Sequence, residues 1–386
     1  MPYYRRVGDV PRKRHTLHRD GDTILLEELM GEEGFSGISA LLYHRTSPSA
    51  IVAAQRAPDH RGAFAPDEPS LPRHLRTGEL TAGGDLVVDR HALLGNDDVI
   101  ISWASATTSS GLYRNAAGDE LIFVHTGRGM LDTVFGSLAV EAGDYVVIPR
   151  STTHRWIVQG DGPLACLIIE AAGHVRPPAR HLSVSGQLRE GAPYSERDVR
   201  GPDAPLLEDG HNVDVLVRHR RRLTIYRYAN HPFDVVGWDG CLYPWALSIH
   251  DFEPIVGRIH QPPPVHQTFE GPGFVVCSFV PRPLDFDADA VKIPYHHANV
   301  DSDEVLFYAA GNFTSRAGSG IARGSISLHP AGFVHGPQPG SFERSRGEMR
   351  TEELAVMIDT FRPLGLSETG RAVSDPGYPW TWAARS

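Results

Sequence analysis

Hydrophobic residues along this chain come in short alternating or continuous runs that end at Gly, Pro or Asp. Alternation with a period of two is typical of a strand with one buried face, and a short continuous run is typical of a strand buried on both faces. Helical periodicity is scarce. The pattern predicts a mainly β protein with strands at Leu121–Val124, Leu138–Val140, Tyr145–Ile148, Ala165–Glu170, Val213–Val217, Leu223–Tyr228, Phe274–Phe279, Val305–Tyr308 and Ser325–Leu328.

The length of the chain indicates two structural units. Its 386 residues exceed what one hydrophobic core usually covers. Its 39 Gly and 30 Pro residues favour many turns between short strands. Two segments rich in Pro, Gly and charged residues, Arg56–Arg76 and Ser185–Pro205, are predicted to be surface loops or the connection between halves. We therefore expect an N-terminal half at 1–200 and a C-terminal half at 201–386.

An internal repeat relates the two halves at matching intervals. Tyr113 stands in the first copy where the second has His297, so the first copy lacks one imidazole and is predicted to be a scaffold without metal. The other paired positions are Asn115 and Asn299, Glu120 and Glu304, Gly127 and Gly311, Gly143 and Gly324, Pro149 and Pro330, and His154 and His335.

The second copy contains a candidate metal site made of His297, Glu304 and His335. Two imidazoles and one carboxylate hold a divalent first-row metal on one face and leave the other face open, which suits non-haem Fe(II) and O₂. His296 is an alternative ligand, but the interval to Glu304 favours its neighbour. Because residues two apart on a strand point to the same side, Asn299 is expected to face the interior with His297.

Charge and cysteine content narrow the classes of partner. The net charge of −10 argues against nucleic acid and against an anionic membrane surface. The three cysteines have none of the spacings that bind zinc or perform redox chemistry, so they are predicted to be buried thiols. The sequence has neither an apolar segment of signal-peptide type nor a run of about 18 apolar residues, so we expect a cytoplasmic protein.

The repeated motif resembles that of the cupin superfamily, and two copies make a bicupin. The expected fold is therefore two double-stranded β-helix (jelly-roll) barrels that arose by internal duplication. Further segments resemble the homogentisate 1,2-dioxygenase family in its bacterial form. They are MPYYRRVGDVPRKRHT, EELMGEEGF, LLYHRTSPSAI, FDVVGWDGCLYPW, RIHQPPPVHQTFEG, PYHHAN and SLHPAGFVHGPQPG.

The resemblance implies an Fe(II)-dependent extradiol dioxygenase that converts homogentisate and O₂ to maleylacetoacetate in tyrosine and phenylalanine catabolism. It implies no organic cofactor, a small aromatic substrate and a homo-oligomer. Iron would be bound by the three residues of the candidate metal site. His260 would be the acid/base, and His266 in the same Pro-rich loop is a rival for that role. His329 and Asn299 are expected to orient the ligands.

The sequence departs from the family pattern at two positions, Ala298 and Phe313. Many relatives have Arg at the first, and eukaryotic-type members have Tyr at the second, near the substrate carboxylate. Both departures bear on the identity of the substrate more than on the metal. The alternatives are therefore a dioxygenase for another para-hydroquinone acid, such as gentisate or a biosynthetic intermediate, or a non-catalytic bicupin that binds a small ligand.

Overall fold

A computed structural model describes residues 3–59, 62–219 and 222–383, most of whose regular structure is β. All nine predicted strands lie within strands of the structure. The strands are β1 (Arg5–Gly8), β2 (Arg19–Asp20), β3 (Thr23–Ile24), β4 (Leu26–Gly31), β5 (Ser39–His44), β6 (Ile51–Ala57), β7 (Arg73–Arg76), β8 (His91–Gly95), β9 (Val99–Ala106), β10 (Leu112–Asn115), β11 (Glu120–Thr126), β12 (Arg128–Thr133), β13 (Gly136–Glu141), β14 (Asp144–Ile148), β15 (Thr153–Gln159), β16 (Leu164–Ala171), β17 (Val199–Arg200), β18 (His211–His219), β19 (Arg222–Asn230), β20 (Val235–Gly240), β21 (Trp245–Ser248), β22 (Gln267–Gly271), β23 (Phe274–Phe279), β24 (Arg282–Pro283), β25 (Asp303–Ala310), β26 (Ser325–His329), β27 (Arg350–Thr351), β28 (Leu354–Thr360) and β29 (Gly365–Leu366).

Helices are short and few in the described ranges. The α-helices are α1 (Ser341–Ser345) and α2 (Glu368–Ala372). The 3-10 helices are Glu33–Phe35, Thr77–Glu79, Ala179–His181, Glu196–Asp198, Ile249–Asp251, Pro263–His266, Thr314–Arg316 and Tyr378–Trp380. None of the helices in this part of the chain has the length and hydrophobicity needed to cross a bilayer.

The strands form two barrels, as the repeat predicted. The first barrel combines an eight-stranded sheet, ordered β17-β21-β14-β11-β16-β9-β8-β29, with a seven-stranded sheet, ordered β13-β12-β15-β10-β18-β19-β6. The second barrel is built on a six-stranded sheet, ordered β22-β23-β28-β25-β26-β7. The fold is mainly β and of the bicupin type.

The duplication is visible in the register of the strands. Tyr113 pairs with His154 between β10 and β15, and the corresponding His297 pairs with His335 in an isolated bridge. Likewise, β11 and β16 place Glu120 opposite a glutamate, whereas β25 and β28 place Glu304 opposite an aspartate. The repeat found in the sequence therefore corresponds to equivalent positions in two barrels.

In the first barrel a guanidinium group lies where the repeat would otherwise hold a metal. Arg90 donates from both terminal nitrogens to Glu120, at 2.9 and 2.8 Å, and from Nη1 to Glu170, at 2.9 Å. All three side chains are buried. A buried carboxylate requires a positive partner, and here Arg90 is that partner. A first copy without metal stays a prediction.

Both segments that were predicted to be surface loops or a connection contain short strands. The segment Arg56–Arg76, predicted to be loop, ends in β7, which pairs with β26 at the edge of the second barrel, so the prediction is wrong there. The segment Ser185–Pro205 contains only a short 3-10 helix and β17. The division at residue 200 stays a prediction, although β18, β19 and β21 pair with strands of the first half.

Alternating residues of β25 separate two hydrophobic clusters. Val305 and Phe307 belong to the large core that extends through both halves. Leu306 and Tyr308 face the other way and form the barrel-interior cluster with Cys277, Ala355 and Met357, against which Phe279, Phe313 and Ile321 pack. Glu304 shares this inward face, because it lies two positions before Leu306. The metal-site candidate therefore opens onto an apolar interior.

A buried histidine near the N-terminus should make stability depend on pH. His44 contacts Asp234 at 2.6 Å and Glu28 at 3.0 Å. Burial lowers the pKa of His44, but these hydrogen bonds outweigh burial and raise it from 6.5 to about 9. Because the folded pKa exceeds the unfolded one, the contribution is fully present below about pH 6.5 and is lost as the pH rises through about 9.

We expect the free energy of unfolding to fall by up to about 3 kcal/mol between about pH 6 and about pH 9.5 on account of this group. Urea unfolding at both pH values measures the loss. The His44→Gln variant should be less stable at the lower pH and should lack this part of the pH dependence. An unchanged pH dependence in the variant would refute the assignment.

Candidate metal centre

The backbone brings the two candidate histidine ligands side by side. The amide N–H of each donates to the carbonyl of the other at 2.9 Å, across the bridge between His297 and His335. The turn before His335 is fixed by Gly332, whose φ of 76° suits glycine and whose N–H donates to the Asn299 carbonyl at 2.7 Å. Asp303 accepts from the Ala331 N–H at 2.9 Å. The imidazole centroids lie 4.4 Å apart as a result.

Glu304 completes the group from the neighbouring strand β25. Its Oε2 lies 3.4 Å from His297 Nε2, and its Oε1 lies 3.2 Å from His335 Nε2. One ligand atom from each of the three residues fits within 4.8 Å. The side chains of Glu304 and His335 are almost fully buried, whereas 34% of the His297 side chain is exposed. The group is therefore reachable from the side of His297.

The tautomers of both histidines suit metal binding. His297 Nδ1 lies 3.1 Å from the Tyr295 carbonyl, and His335 Nδ1 lies 3.1 Å from the Phe333 carbonyl. Because a carbonyl only accepts, each Nδ1 must carry a hydrogen, and in the neutral imidazole the Nε2 then presents its lone pair. The buried Nε2 of His335 has no hydrogen-bond partner. An unpartnered nitrogen beside a carboxylate is what a bound divalent cation would satisfy.

His329 is hydrogen-bonded to the carboxylate of Glu304. It lies opposite Glu304 in the ladder and donates from Nδ1 to Glu304 Oε1 at 2.9 Å. Its ring stacks on His335 at a centroid distance of 4.1 Å. Burial lowers the pKa of His329 to about 3, so the ring is neutral. Its Nε2 then accepts from the Tyr378 hydroxyl at 3.1 Å.

The charge of Glu304 is stabilised by its neighbours. Burial opposes ionisation, but the surrounding imidazoles of His297, His329 and His335 outweigh burial and hold the pKa of Glu304 well below its usual range. The group therefore combines one anion with two imidazole nitrogens, which is the donor set that a first-row divalent cation takes.

Asn299 contacts the ligands only indirectly. Its amide donates to Asp359 Oδ1 at 3.0 Å, and Asp359 pairs with Glu304 between strands. Burial raises the pKa of Asp359 to about 7. Asp359 and Tyr378 could not be predicted from the sequence, because neither belongs to the repeated motif.

The two candidate acid/base histidines occupy different surroundings. His260 is exposed, and its ring lies 5.6 Å from that of Tyr295, which in turn lies 6.1 Å from that of His297. His266 is buried against Phe279 with a centroid distance of 4.7 Å, and burial lowers its pKa to about 3. Neither ring contacts the ligand group through a hydrogen bond in the described residues.

Phe313, expected near the substrate, packs edge-on against Tyr308 inside the barrel at 4.9 Å. Its neighbours belong to the barrel-interior cluster. The position is therefore compatible with a wall of a substrate cavity, but it offers no hydroxyl.

A second group of potential ligands, Glu32, Asp119 and His174, also fits within 4.8 Å. Arg176 Nη2 already lies 2.7 Å from Glu32, and Asp119 accepts from two backbone N–H groups, at 2.7 and 2.9 Å. A hydrogen bond with Asp119 raises the pKa of His174. Cationic partners are therefore present, and the group is better explained as a network of ion pairs.

Comparison with known proteins places the chain in a family. A sequence profile described as the N-terminal region of homogentisate 1,2-dioxygenase matches residues 93–249. A protein of Saccharolobus solfataricus, provisionally named a dioxygenase, is 38% identical over 386 residues, which cover 99% of each chain. The homogentisate 1,2-dioxygenase of Emericella nidulans is 26% identical over 328 residues, which cover 78% of this chain and 71% of that protein.

Among solved structures, a cupin 2 conserved barrel domain protein from Leptotrichia buccalis aligns with a TM-score of 0.36 at 10% identity, covering 76% of this chain and 98% of that one. The full-length match and the profile match agree with each other and with a two-barrel fold that contains a group of two histidines and one glutamate. The chain belongs to the homogentisate 1,2-dioxygenase family and is a dioxygenase.

Proposed function

We propose that this chain is an Fe(II)-dependent extradiol dioxygenase that opens the ring of homogentisate to give maleylacetoacetate. His297, Glu304 and His335 would hold the iron. The observation that carries the proposal is the convergence of two Nε2 atoms on one ionised carboxylate, with a buried nitrogen left unpartnered. A cytoplasmic location and a homo-oligomeric state stay predictions.

Iron bound there would act as a Lewis acid towards a ring hydroxyl and would bring O₂ next to the ring. The chain supplies the remaining parts. The barrel-interior cluster offers apolar walls for a flat ring, and water is excluded on that side. His329 keeps its proton on Nδ1 and holds Glu304 in place. His297, on the accessible side, marks where a substrate would enter.

A histidine must accept the proton that the ring hydroxyl loses and return it later. We propose His260, because it is solvent-accessible and its neighbour Tyr295 adjoins His297. His266 is a weaker candidate, since its low pKa makes it a poor base at neutral pH.

Replacing His260 with Ala should lower kcat by about 10²-fold while iron stays bound. His266→Ala is the matched variant and should change kcat far less. Steady-state O₂ uptake and the iron content of both variants decide between them. A normal kcat in His260→Ala together with a large loss of kcat in His266→Ala would assign the acid/base role to His266.

The substrate is tested by O₂ consumption of the anaerobically Fe(II)-loaded protein with homogentisate, with gentisate in parallel. Rapid uptake with homogentisate is expected, together with absorbance of a ring-opened product. The absence of a hydroxyl at Phe313 favours one alternative, a different para-hydroquinone acid, and uptake with gentisate alone would support it. No uptake with any of these phenols would contradict the proposed function and favour a ligand-binding protein.

A further inference from the structure

One buried cation inside the second barrel forms no ion pair with any carboxylate of the described residues. Arg316 ends the 3-10 helix Thr314–Arg316, and only 6% of the residue is exposed. Its Nε donates to the Tyr308 hydroxyl at 3.0 Å and its Nη1 donates to the Gly336 carbonyl at 2.6 Å. Both acceptors are neutral. A guanidinium stays charged at any pH at which the protein is folded.

The other barrel contains a buried guanidinium, Arg90, with which Arg316 can be compared. Arg90 is paired with two carboxylates in the first barrel. No carboxylate in the described ranges forms an ion pair with Arg316, and no hydrogen bond is formed by its Nη2 with these residues. Glu304 and Glu353 attract Arg316 electrostatically, but neither accepts a hydrogen bond from it. Because a buried charge without a direct partner is unfavourable, the arrangement points to an anion that is supplied from outside the chain.

The position of Arg316 places that anion in the candidate site. Tyr308 lies on the same inward face of β25 as Glu304. Gly336 directly follows the ligand His335. The guanidinium also lies 5.9 Å from the centre of the Trp382 ring, which adjoins Tyr378 and His329. Arg316 therefore bridges the apolar interior and the backbone of the metal-site candidate.

We propose that Arg316 binds the carboxylate of the aromatic substrate and sets the specificity of the site for ring acids over neutral hydroquinones. This inference rests on the proposed function. The planar guanidinium can present two N–H groups to one carboxylate. It would supply the carboxylate recognition that Phe313, which has no hydroxyl, cannot supply. Phe313 lies only three positions earlier and packs on the same Tyr308.

The test compares two ligands that differ only in the anionic group. Homogentisate and 2-methylhydroquinone share the ring and both hydroxyls, but the second has a methyl group in place of the carboxymethyl group. Calorimetry under nitrogen measures the Kd of each for Fe(II)-loaded protein, so that binding is read without turnover. For Arg316→Met, homogentisate should bind about 10²-fold more weakly, whereas the affinity for 2-methylhydroquinone should change less than about threefold.

Two further variants make the result specific. Arg316→Lys keeps the charge but loses the planar fork, and should weaken homogentisate binding by about tenfold; it also serves if the Met variant does not fold. Arg282→Met is the matched control, because Arg282 also lacks an ion pair within the described chain and lies over Phe279 at 5.9 Å. It should leave the ratio of the two affinities unchanged.

Equal losses of affinity for both ligands in Arg316→Met would show a merely structural role and overturn the inference. A change in the ratio of the two affinities that is found only in Arg282→Met would also overturn it. Wild-type protein that binds neither ligand would also overturn it. Wild-type protein that prefers homogentisate in an Arg316-dependent way, but consumes no O₂, would support the inference while contradicting the proposed ring cleavage.

Discussion

Replacing Glu304 with Gln is expected to remove bound iron and to lower turnover by at least about 10²-fold. Gln keeps the size of the side chain but lacks the charge, and its amide nitrogen cannot accept from His329 or bind a cation. The carboxylate is the one anion among the proposed ligands, and its two oxygens face His297 and His335. Iron per chain after anaerobic loading and desalting, together with O₂ uptake, measures the effect.

Glu32→Gln is the control for this experiment, because Glu32 belongs to the other group of potential ligands. It should keep about one iron per chain and near-normal turnover. Iron retained at full occupancy by Glu304→Gln would contradict the assignment. Iron lost from Glu32→Gln instead would move the metal to the network of Glu32, Asp119 and His174.

Replacing Arg90 with Met should give the largest loss of stability, about 3–5 kcal/mol of unfolding free energy. The substitution would remove the hydrogen bonds that Arg90 donates to the buried carboxylates of Glu120 and Glu170. Urea unfolding measures this loss. Iron binding should be retained under conditions where the variant is folded, because the proposed ligands lie in the other barrel.

The double variant Arg90→Met with Glu120→Gln removes one of the two buried charges. If repulsion and desolvation of the carboxylates cause the loss, the double variant should be more stable than Arg90→Met alone. The view that Arg90 replaces the metal of the first barrel would be contradicted by either of two results. One is that the losses of unfolding free energy from the two single substitutions add in the double variant, and the other is that Arg90→Met is as stable as the wild type.

The strands and the repeat could be predicted because their signals are local. Apolar runs such as Val305–Tyr308 give the strands, and equal intervals around Glu120 and Glu304 give the duplication. The strand β7 was missed because its residues are Arg, His, Leu and Arg, and only pairing with the distant β26 makes it a strand. Loop chemistry and strand propensity cannot reveal such a pairing.

The candidate site was predictable in part for the same reason. The motif contains His297, Glu304 and His335 within one segment, so their spacing suggested that they meet. Tyr378 and Arg316 carry no motif, and they reach the site through the C-terminal segment and through a loop after β25. Their positions depend on the packing of the whole barrel, which cannot be predicted from the spacing of residues along the sequence.

A chain with the proposed function inserts both atoms of O₂ into an aromatic ring acid. The most direct measurement is a single turnover of Fe(II)-loaded protein with homogentisate under ¹⁸O₂, followed by mass spectrometry of the product. We expect a ring-opened product that carries two ¹⁸O atoms when it is quenched before its ketone oxygen exchanges with water, and none of this product with Glu304→Gln. A product without ¹⁸O, or unchanged homogentisate, would contradict ring cleavage by this chain.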